Sequence, residues 1–536
     1  MKKLLLYAMS AALGTPLCAQ ESKTVWQKDL QSSTQDFLTQ VSITPDGQYL
    51  VSGSSINPRS FAVGEGAQNN GYDYRLLKLD QQGNKVWEKY FAGNRHDYLA
   101  ATAATREGGS IIAGTSYSGQ SGDKKEKSIG GSDIWLIKIN EAGDEEWQRT
   151  LGTKRNEEAK SVAQTADLGY FAVGDIHSSK EGFGGKDAFV ARLDKTGKVK
   201  AQIILGGTGQ EEVETMISTN DGGVLLGIYS RAGKSLTNSA SSSAPVPEGE
   251  APMIRIAKKS ENFGEGDYWV VKLDKDGLLQ WDKSFGGKDD DRIRTLSLTD
   301  SGYLIGGESR SQPSGNKRTT LEEGTDLWLI AVDESGNEEW QKSYSFGNRD
   351  VLMSQNAVND IKGHHTKGFL IGGYTQSEGR VEKNDETFWM LYLDRGGREV
   401  WRKYVEGKSK MKEERLVSAK LGRDGSFILG GTSTEELGQE NWKIVKLGDK
   451  DLDDLIERNE LLIYPNPVED YCYVEIGFEF AGEAEIALND MGGRRLQTLK
   501  SKNGITKINT AGLPQGVYIV SATTEKKSVN SKIIKK

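Results

Sequence analysis

The chain has 536 residues, of which 27% are charged and 36% hydrophobic, and this composition excludes a disordered or collagen-like protein. Its 64 glycines, 10 prolines and 11 tryptophans predict many tight turns between short strands. The formal net charge of −8 argues against a nucleic-acid-binding surface, and only Cys18 and Cys472 are available for disulfides.

The first 19 residues predict a secretory signal peptide. Lys2 and Lys3 form a basic start, residues 4–13 are apolar, and a small residue, Ala19, precedes the expected cleavage site. The alternative is a lipoprotein anchored at Cys18. No other stretch approaches the roughly 18 apolar residues that a membrane-spanning helix needs.

A repeat of about 60 residues follows the leader. One segment, at 133–147, has the pattern Asp-x-Trp-Leu-x-Lys and ends on a tryptophan. It returns at 73–87, 187–201, 267–281, 326–340 and 387–401, and a last copy begins at 441 and breaks off after 447. A turn acid followed by an apolar run accompanies each copy, at Asp46, Glu107, Asp167, Asp221, Asp300, Asp360 and Asp424.

Alternating hydrophobicity and glycine-containing turns predict four antiparallel strands per copy, named A to D. The last copy lacks strand D, whereas residues 24–28 form a strand D without a preceding strand C. We therefore predict an all-β fold in which residues 20–448 form a seven-bladed β-propeller closed by the N-terminal strand.

The repeated pattern, continued by Gly-Gly and Thr-x-Asp-Gly-Gly, resembles the uncharacterised repeat propellers of secreted bacterial proteins over residues 24–447. Residues 80–87 are also similar to the tryptophan-docking motif of quinoprotein propellers, but no cofactor ligands of that family match. These resemblances imply a fold and no specific activity.

Two repeated features have both a functional and a structural interpretation. The tryptophans could stack on sugars, but their recurrence in almost every blade favours packing between blades. The Asp-x-x-Gly turns could suggest calcium, but each offers one or two carboxylates where calcium takes six or more oxygens. We interpret them as turns in which aspartate accepts bonds from its own backbone.

Residues 449–460 are predicted to be a charged linker, and residues 461–536 a small immunoglobulin-like β-sandwich. This module resembles the type A C-terminal sorting domain of type IX secretion cargo from Bacteroidota. The resemblance depends on four motifs: Tyr464, Pro465, Asn466 and Pro467; Asp490, Gly492 and Arg494; Leu513, Pro514, Gly516 and Tyr518; and Lys535 and Lys536. It implies export across the outer membrane, removal by a sortase-like peptidase, and either release or attachment to surface lipopolysaccharide. An ordinary adhesion domain is the alternative.

Catalytic motifs are absent from the sequence: there is no zinc-protease motif, nucleophile elbow or phosphate-binding loop. We assign no catalytic, cofactor-binding or metal-binding residue, and interpret His364 and His365 as a solvated loop in preference to a metal site. Seven acids, each ten residues before a turn acid, are expected in a ring at one mouth of the channel: Asp36, Asp97, Glu157, Glu211, Asp290, Asp350 and Glu414. They could bind a cation such as calcium, form a glycoside-cleaving pair, or accept backbone N–H bonds.

The loops between strands B and C vary most, at 54–71, 116–132, 230–266 and 308–325, and the third contains a low-complexity stretch. Variable loops on a rigid scaffold are typical of recognition. We therefore predict an exported surface or secreted binding module, with a glycan or a protein as its ligand. A carbohydrate-active glycosidase or lyase using the acids is the alternative, and a structural scaffold or adhesin is a third.

Overall fold

The computed structural model describes residues 23–30, 36–56, 71–177, 182–233, 251–360, 365–375, 387–405, 413–422, 424–434, 441–456, 459–478, 480, 483–501 and 504–536. The predicted signal peptide, including Cys18, lies outside this part of the chain. The described residues form an all-β protein with one short helix, Lys450–Leu455 (α1). Among them, no helix is long and apolar enough to cross a membrane.

Between residues 23 and 448, the described part of the chain forms seven sheets of four antiparallel strands, one of which carries a fifth strand. The first strand of the chain is β1 (Lys23–Leu30). Three sheets follow: β2 (Phe37–Ile43), β3 (Tyr49–Ser55), β4 (Asp73–Leu79) and β5 (Lys85–Phe91); β6 (Asp97–Ala104), β7 (Ser110–Ser116), β8 (Asp133–Ile139) and β9 (Glu145–Leu151); β10 (Asn156–Gln164), β11 (Tyr170–His177), β12 (Asp187–Leu193) and β13 (Val199–Gly206).

The remaining four sheets keep the same order. They are β14 (Glu211–Ser218), β15 (Val224–Ser230), β17 (Asp267–Leu273) and β18 (Leu279–Phe285); β19 (Asp291–Leu298), β20 (Gly302–Ser309), β21 (Asp326–Asp333) and β22 (Glu338–Tyr344); β23 (Asp350–Asn359), β24 (Thr366–Thr375), β25 (Thr387–Asp394) and β26 (Glu399–Val405); and β27 (Glu413–Leu421), β28 (Phe427–Thr434) and β29 (Asn441–Gly448) with β1.

Neighbouring sheets meet through their first strands. β2 contacts β6, and the contacts continue through β10, β14, β19 and β23 to β27, which contacts β2. β1 pairs antiparallel with β29, with Trp26 opposite Lys446. The pairing predicted between the N-terminal strand and the last strand C is therefore confirmed.

The tryptophans pack between sheets, as their repetition predicted. Those on the third strands are almost fully buried, as Trp135 is. Those on the outer strands reach the next sheet, where the indole N–H of Trp87 donates to the carbonyl of Glu141 at 3.0 Å. Gly143 lies beneath that ring with φ of +81°, and a Cβ there would come within 3.2 Å of it.

One strand was not predicted. β16 (Met253–Ala257), within the long loop 230–266, pairs in parallel with β13, the outer strand of another sheet. β13 carries Ala201 where most other outer strands carry tryptophan, and Ile254 and Ile256 join the core that contains Ile203 and Leu205. The loop thereby covers a hydrophobic strand edge.

The C-terminal module packs two sheets around a shared core. The first is β30 (Leu461–Tyr464), β31 (Tyr471–Ile476) and β34 (Ile505–Asn509), and the second is β33 (Arg495–Ser501), β32 (Ala484–Asp490), β35 (Gly516–Thr523) and β36 (Ser528–Lys535). Cys472 is fully buried between them. In the predicted linker, Asp449 caps α1 and accepts a bond from Lys403 at 2.6 Å, and Leu452 is buried.

Candidate functional sites

The four sorting motifs, spread over 73 residues of sequence, meet around one end of the second sheet, although Tyr464 itself lies on β30 of the first sheet. Asp490 on β32 is opposite Tyr518 on β35, and Gly516 is opposite Lys535 on β36. Lys535 in turn makes a parallel bridge to Val468, directly after the Tyr-Pro-Asn-Pro motif. Strand pairing therefore gathers motifs that are distant along the chain.

Asn466 ties the first motif to the end of the chain. Its side-chain amide donates to the carbonyl of Lys532, and its carbonyl oxygen accepts from the N–H of Ile534, both at 3.0 Å. The N–H of Lys536 then donates to the carbonyl of Val468 at 3.0 Å. The last strand is consequently held along an edge that would otherwise be unpaired.

The second and third motifs form turns beside this edge. Asp490 accepts from the backbone N–H groups of Gly492 and Arg494 at 3.0 and 2.9 Å, which lowers its pKa. Tyr518 inserts its ring into the core and donates to the carbonyl of Pro514 at 2.8 Å. The motif residues therefore shape the backbone of this sheet end.

The outer surface at this sheet end is apolar with a basic border. Val517 and Ile534 are cross-strand partners and are 41% and 49% exposed. The exposed side chains of Arg495 and Lys532 lie on the same sheet, and the exposed Lys536 lies at its edge.

The module contacts the propeller-like part through the short turns between first and second strands and between third and fourth strands, here called the turn face. Tyr464 donates to the carbonyl of Pro45 at 2.8 Å. Glu141 accepts from the hydroxyl of Tyr473 and from Lys507 Nζ, the latter at 2.8 Å. Ile505 packs on Gly47. The opposite strand ends, here called the loop face, carry the long loops.

The predicted acids lie where a connection enters the first strand of a sheet, and those whose side chains are described are almost all fully buried. Asp97 accepts from the N–H of Gly93 and the hydroxyl of Ser118, both at 2.9 Å. Asp350 accepts from the N–H of Phe346 at 2.7 Å. Four further side chains accept bonds in the same region: Asp36 from Arg75 at 2.5 Å, Glu157 from Thr153 at 2.6 Å, Glu211 from Ser230 at 3.3 Å, and Asp290 from Tyr229.

One acid needs correction. Asp291, not Asp290, begins β19, is fully buried and accepts from the N–H of Gly287 at 2.6 Å. The turn from Thr299 to Gly302 is one residue shorter than its equivalent from Thr219 to Gly223. The acid that begins β19 is therefore nine residues before the turn acid Asp300, and a count of ten residues gives Asp290 instead. Glu414 begins the corresponding region of β27, and its side chain lies outside the described residues.

A second set of acids, on the third strands, was missed from sequence. Each begins a third strand and precedes the acid of the next sheet by 24 residues, as Asp133 precedes Glu157; the members are Asp73, Asp133, Asp187, Asp267 and Asp326. A Cβ on Gly152 would lie within 3.1 Å of both of these carboxylates, so the two meet at the junction between sheets. The constant spacing was the signal that could have found them.

Buried lysines compensate some of these acids. Lys124, Lys258 and Lys317 are at most 2% exposed and lie in the long loops. Lys258 donates to the hydroxyl of Ser230 and the carbonyl of Ala232, both at 2.9 Å, and burial lowers its pKa to about 8. The loop face therefore has a layer of buried charges beneath it.

Burial dominates the protonation of the acids. It raises the pKa of Asp267 to about 7 and that of Asp350 to about 6, against backbone N–H bonds that favour ionisation. The pKa of Glu211 is also raised, first by burial and then by the neighbouring Asp187 carboxylate. These groups do not present ionised carboxylates to solvent.

The predicted histidine loop is described only in part. His364 lies outside the described residues, and His365 is exposed, with its Nδ1 3.5 Å from a carboxylate oxygen of Asp300. Over the described ranges, no group of three or more His, Cys, Asp or Glu side chains is arranged to hold a metal ion.

Comparison with protein families identifies the C-terminal module. Residues 462–536 match the family model of the secretion system C-terminal sorting domain. This domain marks a cargo of type IX secretion, which is exported to the cell surface or secreted and which interacts with that machinery. No curated protein sequence matches the chain.

Solved structures with similar strand arrangements cover most of the chain at 10% identity. The polysaccharide lyase Uly1 covers 76% of this chain and 89% of its own with a TM-score of 0.42. The structure of YCF48 bound to D1 peptide covers 82% of this chain and 100% of its own, with a TM-score of 0.39. The structure of BBS1N in complex with ARL6DN covers 80% of this chain and 97% of its own, with a TM-score of 0.40. Similarities at this level do not indicate a shared activity.

Proposed function

We propose that residues 20–448 form one seven-bladed β-propeller, with β1 completing the blade of β27 to β29. The support is the succession of seven sheets whose first strands contact one another in order, from β2 through β27 and back to β2. Residues 449–460 connect the propeller to an immunoglobulin-like sorting domain at 461–536.

The chain is a type IX cargo of a Bacteroidota cell in this proposal, with residues 1–19 as its signal peptide. The export machinery recognises the sheet end at which the four motifs converge, and a sortase-like peptidase removes the module. The cargo is then released or attached to surface lipopolysaccharide. The convergence of Asp490, Tyr518, Lys535 and Asn466 at one sheet end is the observation that supports this role.

Deletion of residues 461–536 tests the export route. We expect the truncated chain to accumulate in the periplasm, whereas the full chain reaches the surface or the medium. A matched variant, Ile534→Ser, removes exposed apolar surface at the motif end and should reduce export, whereas Thr498→Ser, on exposed β33, should not. Normal surface delivery of the truncated chain contradicts the proposal.

The exported propeller is a binding protein whose ligand site is the loop face. The observation that carries this proposal is that the sorting module occupies the turn face, through Pro45 and Glu141, and leaves the loop face uncovered by it. Five of the predicted acids, Asp36, Asp97, Glu157, Glu211 and Asp350, do not favour the enzyme alternative, because they are buried and already accept backbone, hydroxyl or guanidinium hydrogen bonds. Screening the intact protein on glycan and protein arrays, with reducing-sugar release measured on every hit, tests this. Binding without turnover supports the proposal, and turnover contradicts it.

A further inference from the structure

Five aromatic side chains form a continuous cluster on the loop face of the first two sheets. Its members are Phe37, Tyr72, His96, Tyr98 and Tyr117, here called the aromatic platform. Tyr72, His96 and Tyr98 have mutual ring-centroid distances of 5.6 to 5.8 Å, and the His96 and Tyr98 rings are within 8° of parallel. Phe37 lies 5.0 Å from Tyr72, and Tyr117 lies 6.4 Å from Tyr98.

The platform is accessible and held by backbone bonds. Phe37 and Tyr117 are 41% and 40% exposed, and His96 is also exposed. The N–H of Tyr72 donates to Nδ1 of His96 at 3.2 Å, and the N–H of Tyr117 donates to the carbonyl of His96 at 3.0 Å. Three separate connections are thus fixed relative to one another, which reduces the ordering cost of binding.

The platform is not part of the repeat. At the position of His96 the other six sheets carry Gln35, Asn156, Gln210, Asp290, Arg349 and Glu413. At the position of Tyr98 the first sheet carries Phe37, itself a member of the platform, and the other five carry Glu158, Glu212, Arg292, Val351 and Arg415. Packing between blades therefore does not require aromatic rings here, unlike the repeated tryptophans. Large exposed aromatic clusters on a protein surface mark interaction sites.

We propose that the aromatic platform binds a polysaccharide chain. The C–H groups on the face of a pyranose ring are electron-poor and pack on the negative faces of aromatic rings. The exposed Asn94 and Arg95 adjoin His96 and supply amide and guanidinium donors for sugar hydroxyls or carboxylates. A peptide that binds by strand addition would need an open strand edge, whereas β2 and β6 pair within their own sheets and contact neighbouring first strands.

This inference rests on the proposed function and names its ligand class. Affinity gel electrophoresis of the intact protein in gels containing xylan, mixed-linkage glucan, alginate or polygalacturonate measures it directly. We expect at least one polymer to retard the wild-type protein. Tyr98→Ala should weaken that retardation at least tenfold, whereas Tyr98→Phe, which keeps the ring, should retain most of it.

Phe263→Ala is the matched control, because Phe263 is 40% exposed in a long loop of another sheet. Its retardation and melting temperature should equal those of the wild type, and Tyr98→Ala should keep a wild-type melting temperature. Equal retardation of wild type and Tyr98→Ala, or loss in both Ala variants, overturns the proposal. If no polysaccharide binds while the protein array gives a loop-face ligand, the platform proposal fails and the binding function stands.

Discussion

At the residue scale, aspartates with the same chemistry have opposite roles in two environments. Asp267 is fully buried at a sheet junction, and burial raises its pKa to about 7. Asp194 is partly exposed in a turn, where hydrogen bonds from Thr196 and Lys198 outweigh desolvation and lower its pKa to about 2. Ionisation therefore opposes folding at the first site and favours it at the second.

The pH dependence of stability follows from these directions. Protonated Asp267 contributes to the free energy of unfolding. This contribution is fully present below pH 3.8 and is lost as pH rises through about 7, which lowers the free energy of unfolding by roughly 4 kcal/mol. We expect Asp267→Asn to raise the melting temperature relative to wild type at pH 8 and to lose most of that advantage at pH 5.

Asp194→Asn is the opposite case, since the stability contributed by its carboxylate is present above pH 3.8 and is lost as pH falls through about 2. This variant should melt below wild type at both pH 5 and pH 8. Thermal unfolding of the three proteins at both pH values measures the effect. If the difference in melting temperature between Asp267→Asn and wild type does not grow with pH, the raised pKa of Asp267 is contradicted.

Glycine at the turn beneath five of the outer tryptophans is a second residue-scale requirement. At Gly143 the backbone is left-handed and a Cβ would press on Trp87, so Gly143→Ala should cost about 1 to 3 kcal/mol. Gly119→Ala is the control, because nothing lies within 4 Å of its Cβ position. Chemical denaturation measures both variants, and equal stability would argue against the tryptophan contact.

At the element scale, two strands complete sheets from a distance. β1 lies outside the last copy of the repeat and supplies the outer strand beside β29. β16 leaves its own loop and covers the edge of β13. In both cases an unpaired strand edge and apolar surface are covered, which lowers free energy more than local loop preference does.

Removal of β1 should strongly destabilise the propeller-like part. Deletion of residues 23–30 exposes the backbone of β29 and removes Trp26, whose indole N–H donates to the carbonyl of Gln81 at 3.0 Å. We expect the deletion to lower the melting temperature and to cause aggregation. Trp26→Ala should lower the melting temperature by a smaller amount. Deletion of residues 241–247, which lie in sequence between β15 and β16, is the control. An unchanged melting temperature after removal of β1 would contradict closure by this strand.

At the scale of the whole molecule, the sorting module and the propeller-like part share a polar contact centred on Glu141. Burial and the hydrogen bond to Glu141 raise the pKa of Tyr473, so this tyrosine is neutral and donates throughout the physiological range. Together with Lys507 and Tyr464, it joins the module to the turn face.

Glu141→Ala should loosen the module without unfolding either part. We expect faster proteolytic cleavage near residues 457–460, and a melting temperature of the propeller-like part close to that of the wild type. Asp144→Ala is the matched control, because Asp144 belongs to the same turn but pairs with Lys89 at 2.8 Å. Equal cleavage rates in both variants would contradict a role for Glu141 in docking.

The sequence by itself determined the strands, their grouping in fours and the sorting module. These follow from alternation, turn residues and short motifs, whose physical causes act within about 15 residues of chain. It also determined the partner of β1, because a missing strand and an extra strand of the same pattern complement each other. The acids on first strands were found for the same reason, except where a shortened turn shifted the count to Asp290.

Only the tertiary structure decided which groups meet across sheets. The pairing of Asp133 with Glu157, the buried Lys258 and the placement of β16 depend on neighbours that are distant in sequence. The convergence of the sorting motifs, the docking on Glu141 and the aromatic platform depend on strand register and on the packing of one sheet against the next. Hydrophobic periodicity specifies which face of a strand is buried, but it does not specify which other element buries it.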